Sequence, residues 1–238
     1  MLVTLKKLIY PNKCIVCRSI LSADEETYLC PRCDAGILRE HTCPICSKPY
    51  SIDEKSCPWC KQVPPAITRI MALFPYKDKY KKSVLRWKYK GIRKYGKGFA
   101  KLIYEEKVDF KVLNIKGLVP VPVSKKRFKE RGFNQALDLA SSLGGYLDLP
   151  VYDILVREKH TKPQSECTKE ERRKNIRGTI KVSEIPYDII DKKEKINLAI
   201  IDDIYTTGST ALECIRALTK ENELCIGEIY VVVICVGI

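Results

Sequence analysis

Two acids and a hydroxyl-rich turn stand side by side late in the sequence: Asp202 and Asp203, then Thr206, Thr207, Gly208, Ser209 and Thr210. The turn follows the apolar run Leu198 to Ile201 and precedes a helical pattern from Ala211 to Leu218, so the stretch reads strand, turn, helix. Such a turn offers backbone N–H groups, hydroxyl donors and the positive end of a helix dipole, which together capture a phosphate. Gly208 lets the backbone approach the anion with no side chain between them. The two carboxylates would repel a bare phosphate. As pure acceptors they call for hydroxyl donors or a metal ion. A ribose carries vicinal hydroxyls close to its 5-phosphate and satisfies both halves, which makes residues 202–210 a candidate ribose 5-phosphate site. The competing phosphate motifs G-x-G-x-x-G and G-x-x-x-x-G-K-[ST] are absent.

A second chemistry lies at the other end. Eight of the 12 cysteines form four CxxC pairs: Cys14/Cys17, Cys30/Cys33, Cys43/Cys46 and Cys57/Cys60. Two thiolates separated by two residues turn onto one ion, and two such knuckles complete the tetrahedral shell of structural Zn²⁺. Eight sulfurs imply two structural zinc sites. Similar spacing within each half favours two successive ribbons, although a crossed arrangement, first pair with third and second with fourth, satisfies the same count. Redox dithiols normally occur singly near a βαβ unit, so metal is the better reading. His41 reads as an ordinary polar residue because four thiolates already close each site. Cys214, Cys225 and Cys235 read as small core residues and Cys167 as a loop thiol.

These residues need elements to hold them. The length of 238 residues suits one substantial core plus a small module, and the adjacent prolines Pro64 and Pro65 mark a linker. The expected domains are therefore 1–64, a metal-bound module, and 65–238. Beyond the linker, strand patterns near 68–75, 117–122, 151–156, 197–203 and 227–236 alternate with helical ones near 78–90, 94–107, 133–146 and 208–220. That alternation predicts an α/β fold, a mostly parallel sheet with helices on both faces, with ligands at the carboxyl ends of the strands. The hydrophobic fraction of 45% excludes a disordered chain. No apolar run approaches the roughly 18–20 residues of a transmembrane helix, and Lys6 and Lys7 stand where a signal peptide would be apolar. A cytoplasmic protein is expected, and reduced thiols there argue against disulfides.

The run Ile200-Ile-Asp-Asp-Ile-Tyr-Thr-Thr-Gly-Ser-Thr210 resembles the phosphoribosyl pyrophosphate (PRPP) signature of type I phosphoribosyltransferases. That resemblance implies that Asp202 and Asp203 hold the ribose hydroxyls and act as the catalytic acids, while Thr206 to Thr210 wrap the 5-phosphate. Val119-Pro-Val-Pro122, Arg127 and Arg131-Gly-Phe-Asn-Gln-Ala136 resemble the signature of the ComF (competence protein F) family. So do Lys88-Tyr-Lys-Gly91, Thr161 with Gln164, Glu171-Arg172, Asn175 and the N-terminal double zinc ribbon. On this fold, Lys125 or Arg127 would meet the diphosphate. Arg131, Asn134 and Gln135 cluster at a glycine-marked turn, and residues 157–177 resemble the loop that closes over PRPP, with Arg172 and Arg173 as clamps. Mg²⁺ would accompany PRPP, bridging diphosphate and ribose oxygens. The ComF resemblance implies a role in natural transformation: assisting entry of single-stranded DNA beside a membrane channel and a helicase partner.

The net charge of +14 makes the surface attractive to phosphates of a nucleotide, a nucleic acid or the inner face of an anionic membrane. Lys77 to Lys101 holds eleven Lys/Arg against one Asp, mixed with aromatics, a composition that suits single-stranded nucleic acid. Tyr80, Val84 and Trp87 share one helical face and suit core packing equally well. Lys88, Tyr89, Lys90, Arg93 and Tyr95 are the nucleic-acid candidates. Three readings stand together: a transferase with an unidentified acceptor, a PRPP sensor that binds nucleic acid, and a nucleobase salvage enzyme.

Overall fold

The computed structural model describes residues 11–22, 27–51, 56–106, 110–158, 176–189, 194–221 and 224–238. Its centre is a four-stranded sheet of β1 (Arg69–Pro75), β2 (Ile115–Pro120), β5 (Ile196–Tyr205) and β6 (Ile226–Val236), in the order β1-β6-β5-β2. Every pairing in it is parallel. Parallel strands are buried on both sides, and the near-continuous apolar runs Leu198 to Ile201 and Ile229 to Val236 are what that burial requires.

Alternate residues of these strands feed two separate apolar clusters. On one face Ala199, Ile201, Tyr230, Val232 and Ile234 meet helices α2 (Asp78–Lys90), α3 (Lys94–Glu106) and α5 (Gln135–Leu147) through Trp87, Phe99 and Leu139. On the other, Leu198, Ile200, Val231 and Val233 meet α6 (Ser209–Thr219) through Cys214, Ile215 and Leu218. Helices thus cover both faces, as the alternation predicts.

The cysteines resolve into two sets, Cys14/Cys17/Cys30/Cys33 and Cys43/Cys46/Cys57/Cys60, each with its sulfurs within 4.8 Å of one another. The pairing is sequential, and the crossed arrangement is excluded. Sulfur contacts of 3.6 Å (Cys17–Cys30), 3.3 Å (Cys43–Cys60) and 3.5 Å (Cys46–Cys57) lie near the roughly 3.8 Å edge of a tetrahedron with Zn–S bonds of about 2.3 Å. The residues therefore fit structural zinc. His41 belongs to neither set.

The two ribbons pack on opposite faces of the sheet. The first, which includes the short helix α1 (Pro31–Asp34), buries Ile15, Val16 and Leu21 in the cluster of Trp87 and Phe99. Ser83 Oγ donates to the Ile15 carbonyl at 2.5 Å, and Tyr80 Oη donates to that of Cys33 at 3.2 Å. The second ribbon places Cys43, Cys46 and Trp59 against the face covered by α6. Between them the chain runs along the edge strand β1, where Leu38 N donates to Leu73 O at 2.8 Å and Ile70 N donates to Ile45 O at 2.7 Å. An otherwise open strand edge is thereby covered.

Two elements differ from the sequence reading. The strand expected over 151–156 is a single parallel bridge, Val151 to Leu118, followed by β3 (Leu155–Arg157), which pairs antiparallel with β4 (Ile180–Val182) in a separate two-stranded ribbon. Asp153 interrupts the apolar run and splits it. A short helix, α4 (Lys125–Arg131), stands outside the helical patterns read from the sequence. Ser124 caps it by accepting from Arg127 N, and Gly132 ends it at φ +78°. Among the described residues no helix is long and apolar enough to cross a membrane.

Because each ribbon shares a core with one face of the sheet, zinc removal should destabilise the whole chain. Chelation, or Cys46→Ser, is expected to lower its single melting temperature by more than about 5 °C, followed by far-UV circular dichroism of the sheet and helices. A sheet transition left unmoved while the ribbons melt alone would contradict this.

Candidate functional site

A cavity of about 500 Å³ opens at the carboxyl ends of β1, β2 and β5. Its wall takes Tyr76 from beyond β1, Val121, Pro122 and Val123 from beyond β2, and Asp202, Asp203, Thr206 and Thr210 from the end of β5 and the start of α6. β2 and β5 are neighbours, yet α5 and α6 that follow them lie on opposite faces. The chain parts there, and a crevice at this switch point is the usual ligand position in open α/β sheets.

The phosphate turn has the local structure its residues dictate. β5 ends at Tyr205, and Gly208 caps α6 in the left-handed region at φ +71°. A Cβ at Gly208 would stand 2.3 Å from Tyr205 Oη, so both backbone angle and space demand glycine. Thr207 and Ser209 hydroxyls lie 2.8 Å apart, and Ser209 N donates to Thr207 Oγ1 at 3.4 Å. Thr206 and Thr210 line the cavity, while Thr207, Gly208 and Ser209 shape the turn behind them.

The acids stand at the mouth of this turn. Asp203 N donates to Asp202 Oδ1 at 2.8 Å, which fixes one carboxylate relative to the next residue. Burial, and then the charge of Asp203, push the Asp202 carboxyl up to about 8, with Lys88 working against them. Lys88, reaching down from α2, places Nζ 2.5 Å from Asp203 Oδ2, and both side chains are largely buried. Two carboxylates in a cleft are thus balanced by one ammonium.

The remaining predicted residues divide. Arg127, Arg131, Asn134 and Gln135 all line the cavity. Arg131 donates from Nη1 to Gln135 Oε1 at 2.8 Å and from Nη2 to Tyr89 Oη at 3.3 Å, and its guanidinium lies 5.0 Å from the Tyr89 ring centre. Asn134 caps α5 by accepting from Ala136 N at 3.0 Å and donates to the Val121 carbonyl at 3.1 Å, tying the two loops together. Lys125 is exposed at the first position of α4 and is not among the cavity-lining residues. Arg172 and Arg173, with Thr161, Gln164, Cys167, Glu171 and Asn175, lie outside the described residues.

Lys88 and Tyr89, read from sequence as nucleic-acid candidates, line the cavity, Lys88 largely buried and Tyr89 exposed. Lys90 is exposed, and Arg93 is a surface residue paired with Asp138 at 3.0 Å. Tyr95 is a correction: it is 3% exposed and packs edge-on to Phe99, so it belongs to the core and offers no ring to a base. Tyr80 and Trp87 are core residues as well. Sequence reasoning missed Arg157, a buried arginine of β3 in the cavity wall, whose ionised form is disfavoured by burial and then by Arg127. Nothing local marks it, because β3 is brought to the site by a single bridge between Arg157 and Ser124.

Residues 5–62 match the family model of the double zinc ribbon domain. Competence protein ComFC of Bacillus subtilis (strain 168) is 31% identical over 217 residues, covering 86% of this chain and 82% of that protein. The chain belongs to the ComF family. Competence protein ComFC of Streptococcus pneumoniae is 32% identical over 212 residues, covering 85% of this chain and 86% of that protein. A DNA utilization protein, YhgH of Salmonella typhimurium, is 26% identical over 224 residues, 90% of this chain and 94% of its own. These likenesses span both the ribbons and the sheet, so the ComF resemblance of the separate motifs extends to the chain as a whole.

The acid pair has a consequence for stability. Asp202 titrates higher in the folded chain than the ~4 of an unfolded aspartate, so between those pH values the folded state holds a proton the unfolded state has released. Stability is therefore lost as pH rises from about 4 toward 8. Asp202→Asn removes this ionisation and should be more stable than wild type by about 1–3 kcal/mol at pH 8, with the gap narrowing at pH 5. Urea unfolding at both pH values checks it, and a gap independent of pH would contradict it.

Proposed function

We propose that the cavity binds the ribose 5-phosphate end of PRPP and that this ComF-family protein handles single-stranded DNA during its uptake in natural transformation. One observation carries the first half: paired carboxylates and a threonine-lined helix start share one cavity wall. The ribose hydroxyls would donate to Asp202 and Asp203, and the 5-phosphate would accept from backbone N–H groups and hydroxyls of Thr206 to Thr210. Arg127 and Arg131 face the same space and suit the diphosphate. In this reading residues 65–238 form a phosphoribosyltransferase-like unit and residues 1–64 brace it.

Mg²⁺ fits as the counter-ion carried by the diphosphate: the carboxylates of Glu130, Asp202 and Asp203 and the ligand's own oxygens are the hard donors such a cation takes. It would neutralise charge on the diphosphate as a leaving group.

The second half rests on the surface and on the relatives, whose names speak of competence and of DNA utilization. Exposed Lys81, Lys82, Lys90, Arg93, Lys94 and Lys97 make α2, α3 and the turn between them basic, and Tyr89, 66% exposed, stands near the end of α2. Phosphates would meet those cations and bases would stack on Tyr89.

A transferase reading is favoured by the same acid pair, since a carboxylate close to the ribose would stabilise positive charge as the C1–O bond breaks. Screening for diphosphate release from PRPP across bases, amines and oligonucleotides separates a catalyst from a sensor.

Asp202→Asn with Asp203→Asn is expected to abolish PRPP binding while leaving zinc content unchanged, and calorimetry showing undiminished affinity would refute the site. PRPP at about 100 times its Kd in Mg²⁺ buffer should stabilise the wild type by about 2.7 kcal/mol, visible as a rise of several degrees in melting temperature. Single-stranded DNA should bind in a salt-sensitive way by fluorescence anisotropy, and Lys90→Glu with Arg93→Glu should weaken it at least about tenfold. Affinity indifferent to salt and to these reversals would remove the DNA half.

A further inference from the structure

Lys88 poses a problem for the ribose site. Its ammonium sits on Asp203, one of the two acceptors a ribose needs, at 2.5 Å and with both side chains largely out of water. A pair desolvated to that degree is costly to break unless both partners find replacements. The lysine comes from α2, a different element from the acids on β5, so the contact joins two elements of the cavity lining. Arg127 and Arg131 stand in the same wall, and Arg131 is already engaged with Gln135 and Tyr89. The four-carbon stem of Lys88 already carries its ammonium from α2 to Asp203, and rotation about its torsions can swing it to a ligand group bound beside the acids.

Resting on the ribose 5-phosphate reading, we propose that Lys88 is a substrate-binding residue that exchanges partners: it holds Asp203, and on ligand entry it yields Asp203 to the ribose hydroxyls and takes the diphosphate of PRPP. The exchange leaves neither group without a hydrogen-bond partner. Asp203 trades an ammonium for neutral donors, and the compact ammonium trades a carboxylate for phosphate oxygens, which it binds as a point charge. A ligand with a ribose but no diphosphate pays for the displacement of Lys88 and gives it nothing in return. The pair therefore selects for PRPP over ribose 5-phosphate.

The test titrates wild type, Lys88→Met and Lys88→Arg by calorimetry in Mg²⁺ buffer with three probes: PRPP, ribose 5-phosphate and inorganic diphosphate. Zinc content serves as the folding check, and Lys88→Gln replaces the methionine variant should that one not fold. Lys88→Met is expected to weaken PRPP and diphosphate by at least about tenfold, the loss of one charged hydrogen bond. Ribose 5-phosphate should bind that variant as tightly as wild type or more tightly, and Lys88→Arg should fall between. Equal weakening of PRPP and ribose 5-phosphate, the result for a residue that only steadies Asp203, overturns the proposal, and so does no change with any probe. Wild-type protein that binds neither sugar phosphate overturns the ribose 5-phosphate reading itself and this inference with it.

Discussion

Two consecutive carboxylates in a cleft repel each other and lose hydration, so a positive group alongside is needed to offset that cost. Lys88 is that group for Asp203, and the architecture serves to bring the two together. β5 runs through the middle of a parallel sheet and delivers the acids at its carboxyl end. α2 follows the far edge strand β1 and ends at Gly91, whose φ of +61° closes the helix immediately after Lys88, Tyr89 and Lys90. The start of α6 then adds a partial positive charge beside the acids. A site that couples donors for a phosphate to acceptors for hydroxyls follows from where these three elements end.

The ribbons give that arrangement its rigidity. Each buries its knuckles against a different face, so the sheet is gripped from both sides. The second ribbon reaches close to the phosphate turn: Tyr205 shares its apolar cluster with Cys43, Cys46 and Trp59, and the Tyr205 hydroxyl lies directly behind Gly208. Burial, with a smaller contribution from Cys46, raises the Tyr205 phenol and keeps it neutral there. Metal binding at one end of the chain is thereby mechanically continuous with the turn at the other.

Much of this was legible in the sequence because it is local. The strand, turn and helix around Asp202 to Thr210 are contiguous, and the CxxC spacing carries its own ligand count. The unread parts depend on contacts between distant segments. Spacing favours sequential zinc pairs over crossed ones without excluding the latter, and nothing in it places the ribbons on opposite faces. Lys88 belongs by sequence to the Lys88-Tyr-Lys-Gly91 motif and the nucleic-acid candidates, and only the course of α2 lays it on Asp203. Tyr95 was misplaced for a definable reason: the break at Gly91 resets the helical phase, so α3 has its own buried stripe of Tyr95, Phe99, Leu102 and Ile103 rather than a continuation of the one in α2. Arg157 enters through a strand of three residues, too short for any periodic signal.

The central claim is that sugar hydroxyls and a 5-phosphate are held by adjoining halves of one turn. A crystal structure of the protein grown with ribose 5-phosphate tests it most directly. The account predicts phosphate oxygens within hydrogen-bond distance of the backbone N–H groups from Thr206 to Thr210, and ribose hydroxyls on Asp202 and Asp203. A sugar phosphate seated away from the start of α6, or bound there with its hydroxyls turned from both acids, would contradict it.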